Sequence, residues 1–121
     1  MGTFFQSVTL FGPERSVSEQ FGALVDTGAT YSLIPQERLS ACGIVATDSM
    51  EFTTADTRTI TLPIGQAEIE VEGRSTVTWV IFAETGTVPL LGAYALEGLR
   101  FAADPFNRRL VPLRGFLTTS D

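Results

Sequence analysis

The chain has 121 residues, 44% hydrophobic and 18% charged, with 8 basic against 14 acidic side chains and a net charge of −6. That length fits one domain around one core, and that composition describes a folded chain rather than a disordered one. All 8 basic residues are Arg and His is absent, so Ser-His and Cys-His pairs, Ser-Lys dyads, Schiff bases and His-based zinc sites are excluded. The acidic balance argues against nucleic-acid binding through phosphate neutralisation. No apolar run reaches the length of a membrane span, and Met1–Gln6 lacks the basic flank and apolar stretch of a signal peptide. The lone Cys42 can form neither an intrachain disulfide nor a thiolate metal site. The expectation is a cytoplasmic protein with no metal, no cofactor, no membrane contact and no nucleic-acid partner, whose chemistry, if it is a hydrolase, rests on carboxylates.

In chain order, the pattern is one of short strands divided by Gly, Pro, Asn and Asp. Phe4–Phe11 reads as a strand closed by Gly12-Pro13, and Glu14–Gln20 as a polar connection. The apolar run Phe21–Val25 predicts a strand buried on both faces, delivering the chain to Asp26. After the Gly28-Ala29 turn, Tyr31–Ile34 resumes extended structure. Residues 35–43 predict a short helix, with Pro35 in its first turn, Glu37 near its N-terminal dipole end and Gly43 closing it. Phe52–Thr54 and Thr59–Leu62 flank Ala55-Asp56-Thr57-Arg58, which reads as a hairpin tip.

Ala67–Glu72 alternates, so one face is buried and the Glu face is wet. Gly73-Arg74 turns the chain into Ser75–Ala83, a strand with Val77, Trp79 and Ile81 on one face, where Trp79 is expected in the core. Glu84–Thr87 is a loop before the short apolar run Val88–Gly92. Ala93–Glu97 predicts one or two helical turns before Gly98. Leu99–Ala103 and Arg108–Pro112 form a last pair across Asp104-Pro105-Phe106-Asn107, a turn sequence. Arg108-Arg109 is expected to be a solvated turn flank and Cys42 a buried small apolar side chain. The sequence therefore predicts one mainly-β domain over 1–121, with a core of about 3–112 and a tail of 113–121 whose apolar residues either fray or join a dimer contact.

Asp26-Thr27-Gly28 carries the chemistry. A carboxylate straight after a buried strand is costly unless partners stabilise its charge. Gly28 allows a tight turn in which main-chain N–H groups point at the carboxylate, and the Thr27 hydroxyl can bond across an interface. The bare tripeptide is a common turn sequence. Its context is what makes it specific: an apolar strand before, Ala29 after, a hydrophobic strand beyond and a second apolar-apolar-Gly unit downstream.

In that context the chain resembles the retropepsin-like aspartic proteases, in particular their small stand-alone bacterial members. Leu24–Ser32 resembles the family's catalytic strand and loop, and Leu90-Leu91-Gly92 its hydrophobic-hydrophobic-Gly element. Leu96–Leu99, Asp104-Pro105 and Asn107–Pro112 resemble the ending of the bacterial group. The resemblance implies a closed, barrel-like all-β acid-protease lobe with one or two short helices. It implies an aspartic endopeptidase in which Asp26 is catalytic, Thr27 bonds across a two-fold axis and Gly28 lines the substrate main chain. Ala29 would also touch substrate, and Ala55-Asp56-Thr57 would form a flap tip over the bound peptide. Ala29 replaces the hydroxyl residue of pepsins, which implies an optimum in weaker acid. Asp48, Asp56, Asp104 and Asp121 form no second Asp-Thr-Gly or Asp-Ser-Gly, so catalysis requires a homodimer in which Asp26 meets its copy. The family often has Gly in the flap, and this chain has none between Gly43 and Gly65. The alternatives are a catalytically silent peptide-binding module and a dimerisation module on the same fold.

Overall fold

The computed structural model describes residues 3–115. Its strands are β1 (Phe4–Phe11), β2 (Ser18–Val25), β3 (Ser32–Pro35), β4 (Asp48–Thr53), β5 (Thr59–Val71), β6 (Arg74–Ala83), β7 (Leu90–Leu91), β8 (Phe101–Asp104) and β9 (Arg109–Pro112). Two short helices, α1 (Gln36–Ala41) and α2 (Ala93–Leu99), and a 3-10 turn at Pro13–Arg15 complete the described chain. Seven strands form one sheet in the order β1-β2-β7-β3-β6-β5-β4, and β1 also pairs with β5. The sheet thus closes on itself as a ring, with β4 left outside on the flank of β5. This is the all-β, ring-closed lobe expected from the sequence. β8 and β9 form a separate hairpin.

One apolar cluster fills the ring. Phe4, Val8 and Leu10 of β1 meet Phe21, Ala23 and Val25 of β2, Ile69 and Val71 of β5, and Val80 and Phe82 of β6. Ala95, Leu96 and Leu99 of α2 and Leu39 of α1 close its ends. Cys42 is buried in the same cluster, as expected, and burial pushes its thiol upward. Gly98 sits inside α2 rather than ending it, and a Cβ there would lie 2.5 Å from the Thr76 hydroxyl of β6, so the helix packs closest to that strand at a residue without a side chain. The helix stops two residues later at Arg100, in the left-handed region with φ 65°.

Several local expectations change. β2 begins at Ser18, within the stretch read as a polar connection, and pairs with β1 along its whole length. It is buried on one face only, since Gly22 is exposed and Leu24 half-buried. β5 runs unbroken for 13 residues through Pro63 and Gly65, where the sequence suggested two strands. On β6 the core face is Thr78, Val80 and Phe82, while Val77 is 61% exposed and Trp79 half-buried. Trp79 therefore belongs to the outer face, not the core. Of the tail, the Leu113 N–H donates to the Arg100 carbonyl at 2.8 Å, whereas Phe116 and Leu117 lie outside the described residues.

Candidate active site

The loop from Asp26 to Tyr31 joins β2 to β3, and β7 runs between those two strands. Leu24 pairs in parallel with Leu90 and Val25 with Leu91, and the Asp26 N–H extends that pairing to the Leu91 carbonyl at 3.0 Å. The Asp26 side chain is half-buried, and its Oδ1 accepts the Gly28 N–H at 2.9 Å. A Cβ at Gly28 would stand 3.2 Å from that same oxygen. That approach is tight, so a side chain at this position would press on the carboxylate oxygen. The Ala29 N–H closes the turn on the Asp26 carbonyl at 3.2 Å, and Thr27 is exposed at its tip.

The far side of the loop is held from beneath. Gly92 is buried, and a Cβ there would meet the Tyr31 carbonyl carbon and oxygen at 2.8 Å and the Ala29 oxygen at 2.9 Å. These are backbone atoms and cannot swing aside. The Gly92 N–H donates to the buried Ser32 hydroxyl at 3.0 Å. The first N–H groups of α2 are used the same way, Ala93 on the Ala29 carbonyl at 2.8 Å and Tyr94 on the Thr30 carbonyl at 3.0 Å. Tyr31 and Tyr94 meet edge to face with ring centroids 6.1 Å apart. Helix start, Gly92 and Ser32 thus fix the backbone around Asp26 through hydrogen bonds in a buried setting, where an unmade bond is costly.

Strand register shows what faces the carboxylate. Phe5 pairs with Leu24, Leu24 with Leu90, Leu90 with Leu33, Leu33 with Ile81, and Ile81 with Ile64. Paired residues share a face, so these six side chains form one apolar row across the outside of the sheet. Asp26 follows Leu24 by two and emerges on that face by strand alternation. Phe5 is 64% exposed at the open end of the row.

The β4–β5 hairpin is amphipathic in the same sense. Met50 pairs with Leu62 and Phe52 with Ile60 on one face, while Ser49, Glu51, Thr53, Thr59, Thr61 and Pro63 occupy the other. Met50 and Ile64 join Tyr31, Trp79, Val80 and Ile81 around a cavity of about 70 Å³. The apolar side of the hairpin therefore meets the row beside the Asp26 loop. Two larger cavities of about 400 Å³ include no residue of that loop, so volume alone does not mark the site.

Residues 18–98 match the family model described as "gag-polyprotein putative aspartyl protease". The chain belongs to this family. The fold is that of a retroviral protease: the solution structure of the simian foamy virus (mac) protease superposes with a TM-score of 0.57 at 16% identity, over 77% of this chain and 91% of that one. No curated protein sequence matches the chain. The family and fold are those of the aspartic-protease type.

In this aspartyl protease lobe, Asp26, Thr27, Gly28 and Ala29 lie together on the β2–β3 loop. Ala55, Asp56 and Thr57 lie apart from them, at the exposed tip between β4 and β5. Among the described residues no hydrogen bond joins the tip to the Asp26 loop, and Asp56 is engaged by its own neighbours Thr54 and Arg58. No group of three or more His, Cys, Asp or Glu side chains that could hold a metal is found among the described residues. No helix among them is long and apolar enough to cross a membrane. Sequence reasoning placed Tyr31 and Ser32 in the stretch resembling the catalytic loop but gave neither a role of its own, it missed Met50 and Ile64, and it placed Trp79 inside. The usable signal was the doubly apolar character of β6, which carries Val77, Trp79 and Ile81 on one face and Val80 and Phe82 on the other.

Proposed function

We propose that this chain is an aspartic endopeptidase that works as a homodimer, with the two copies of Asp26 meeting at a two-fold axis. The observation that supports this most is the Asp-Thr-Gly loop held by backbone hydrogen bonds beside an apolar row of side chains, with a hairpin next to it. Two carboxylates about 3 Å apart cannot both be ionised, so they hold one proton between them. The ionised Asp26 takes a proton from a water placed between the pair, and the water oxygen attacks the scissile carbonyl. The protonated Asp26 hydrogen-bonds the carbonyl oxygen as charge develops there, and a proton is then delivered to the leaving amine. The two residues exchange roles and regain the starting state, with one peptide bond and one water consumed.

Thr27, exposed and without a hydrogen bond in the described chain, is the side chain suited to reach the partner loop. Gly28 and Ala29 present little bulk to the substrate main chain, and Ala55-Asp56-Thr57 is the tip that covers it. The row Phe5–Leu24–Leu90–Leu33–Ile81–Ile64 suits apolar side chains of an extended peptide. The buried, unpaired Cys42 is compatible with a cytoplasmic site of action.

A peptide library incubated with the wild-type chain and with Asp26→Asn tests the reading. Cleavage by the first and not the second is expected, and binding without cleavage by both would leave a silent peptide-binding module. Sedimentation at increasing concentration tests the dimer, because a chain that stays monomeric at concentrations where it cleaves would refute the shared site.

A further inference from the structure

The hairpin tip lacks the glycine that a tight, mobile turn would use, yet one of its residues takes the left-handed backbone that glycine favours. Thr57 has φ 66°, a conformation that costs a β-branched residue free energy unless its surroundings enforce it. The enforcing contacts are all inside the tip. The Thr57 N–H donates to the Thr54 carbonyl at 2.9 Å, and the Thr54 N–H to the Arg58 carbonyl at 2.8 Å. The Thr54 hydroxyl accepts the Arg58 N–H at 3.1 Å and donates to the Asp56 carboxylate. The second Asp56 oxygen accepts the Arg58 Nε–H at 2.9 Å. One carboxylate thereby ties the first and last residues of a five-residue turn.

We propose that Asp56 is a positioning residue for this flap: its carboxylate, bridging Thr54 and Arg58, presets the left-handed turn at Thr57, and protonation of that carboxylate releases the tip. The inference rests on reading the hairpin as the cover of the Asp26 cleft, and it changes the part assigned to Asp56 from touching the peptide to shaping what touches it. A glycine-free tip held by side chains meets the substrate already ordered, so less conformational freedom is lost on binding.

The release has a direction. The Thr54 hydroxyl first, and the Arg58 guanidinium after it, hold Asp56 below its ordinary value of 3.8. The latch is therefore complete above that value and is lost as the pH falls through the lower folded value. Of the charged groups on the two strands of the hairpin, Asp48 and Glu51 of β4 and Glu68 and Glu70 of β5 make no ion pair with Asp56, Glu68 being paired with Arg15; Arg58 of the tip does pair with it. Residues 55–61 are exposed throughout, so no further charged element packs on the latch in the described chain. Across mildly acidic conditions the flap stays preset, and it loosens only in stronger acid.

Amide exchange at Thr57 and Arg58, measured in the Asp26→Asn chain so that catalysis plays no part, tests the latch. Protection is expected near neutral pH and should drop about five- to ten-fold, the equivalent of one net hydrogen bond, once the pH is taken below the ordinary carboxylate range. Adding Asp56→Ala should abolish that protection at every pH. Asp56→Asn, which keeps an acceptor for Thr54 but cannot titrate, should retain part of it without pH dependence. In the otherwise wild-type chain, Asp56→Ala should raise KM more than it lowers kcat. Unchanged protection in Asp56→Ala, or wild-type-like acid release in Asp56→Asn, would overturn the proposal. If the wild type cleaves no peptide while the exchange pattern holds, the protease reading fails and the latch stands; the reverse result removes the latch alone.

Discussion

Ser32 and Thr78 are both buried to 2% exposure and both end in a hydroxyl, on neighbouring strands of the same sheet. They differ in one respect. The Ser32 hydroxyl accepts the buried Gly92 N–H, whereas the Thr78 hydroxyl has no partner among the described residues. Removing the first leaves a buried amide donor unsatisfied, which costs about 1–3 kcal/mol. Replacing the second by an isosteric methyl removes an uncompensated buried polar group, worth about 1–2 kcal/mol in the stabilising direction. Ser32→Ala should therefore unfold at lower urea and Thr78→Val at higher urea, with unchanged slopes, at one fixed protein concentration because the proposed dimer would make stability depend on it. In thermal scans each kcal/mol corresponds to roughly 3–6 °C for a chain of this size. A Ser32→Ala midpoint indistinguishable from wild type, or a Thr78→Val chain that is clearly less stable, would refute the reasoning. Ser32→Ala carries a second consequence, since it loosens Gly92 beneath the Asp26 loop. Under the proposed function its peptidase activity should fall further than the fraction unfolded explains.

Gly92→Ala places a methyl 2.8 Å from Tyr31 backbone atoms and should destabilise by about 1–3 kcal/mol, with the loss visible as a lowered urea midpoint and reduced turnover. Leu99→Ala, at a side chain with 0% exposure, should cost about 2–5 kcal/mol, read by the same melt. The Arg15 guanidinium, by hydrogen bond and then by charge, holds Glu68 below its ordinary 4.5. Its contribution to stability is present above 4.5 and lost as pH falls through the lower folded value. Glu68→Gln should thus narrow the stability gap between neutral and acidic pH, and an unchanged urea-midpoint profile against pH would contradict it. Leu33→Asn, on the apolar row but half-buried, should weaken peptide binding while leaving most of the fold's stability, as separate titration and unfolding measurements would report.

Features that depend on neighbours along the chain are already legible in the order of residues. An apolar strand leading into Asp26-Thr27-Gly28, the Ala55–Arg58 tip and the Asp104–Asn107 turn all follow from local residue chemistry, and all three stand where they were expected. Elimination also narrowed the expectation: a chain with no His and no Lys leaves few hydrolytic chemistries other than carboxylates. What the tertiary structure decided was which face of each element is inside.

On β6 alternation yields two apolar faces, and Trp79 made the wrong one look like the core. The outer face is apolar because it continues the row beside Asp26, a fact held in the pairing of distant strands. The continuity of β5 through Pro63 is likewise decided by its partners on both flanks. Leu90-Leu91-Gly92 was legible as an apolar run ending in glycine. Only the packing gives the reason: the Tyr31 and Ala29 backbones lie where a Cβ would go. The absence of glycine from the β4–β5 hairpin tip was readable from the start. That Thr57 takes the left-handed turn in its place, under the hold of Asp56, is set by hydrogen bonds that no residue pattern displays.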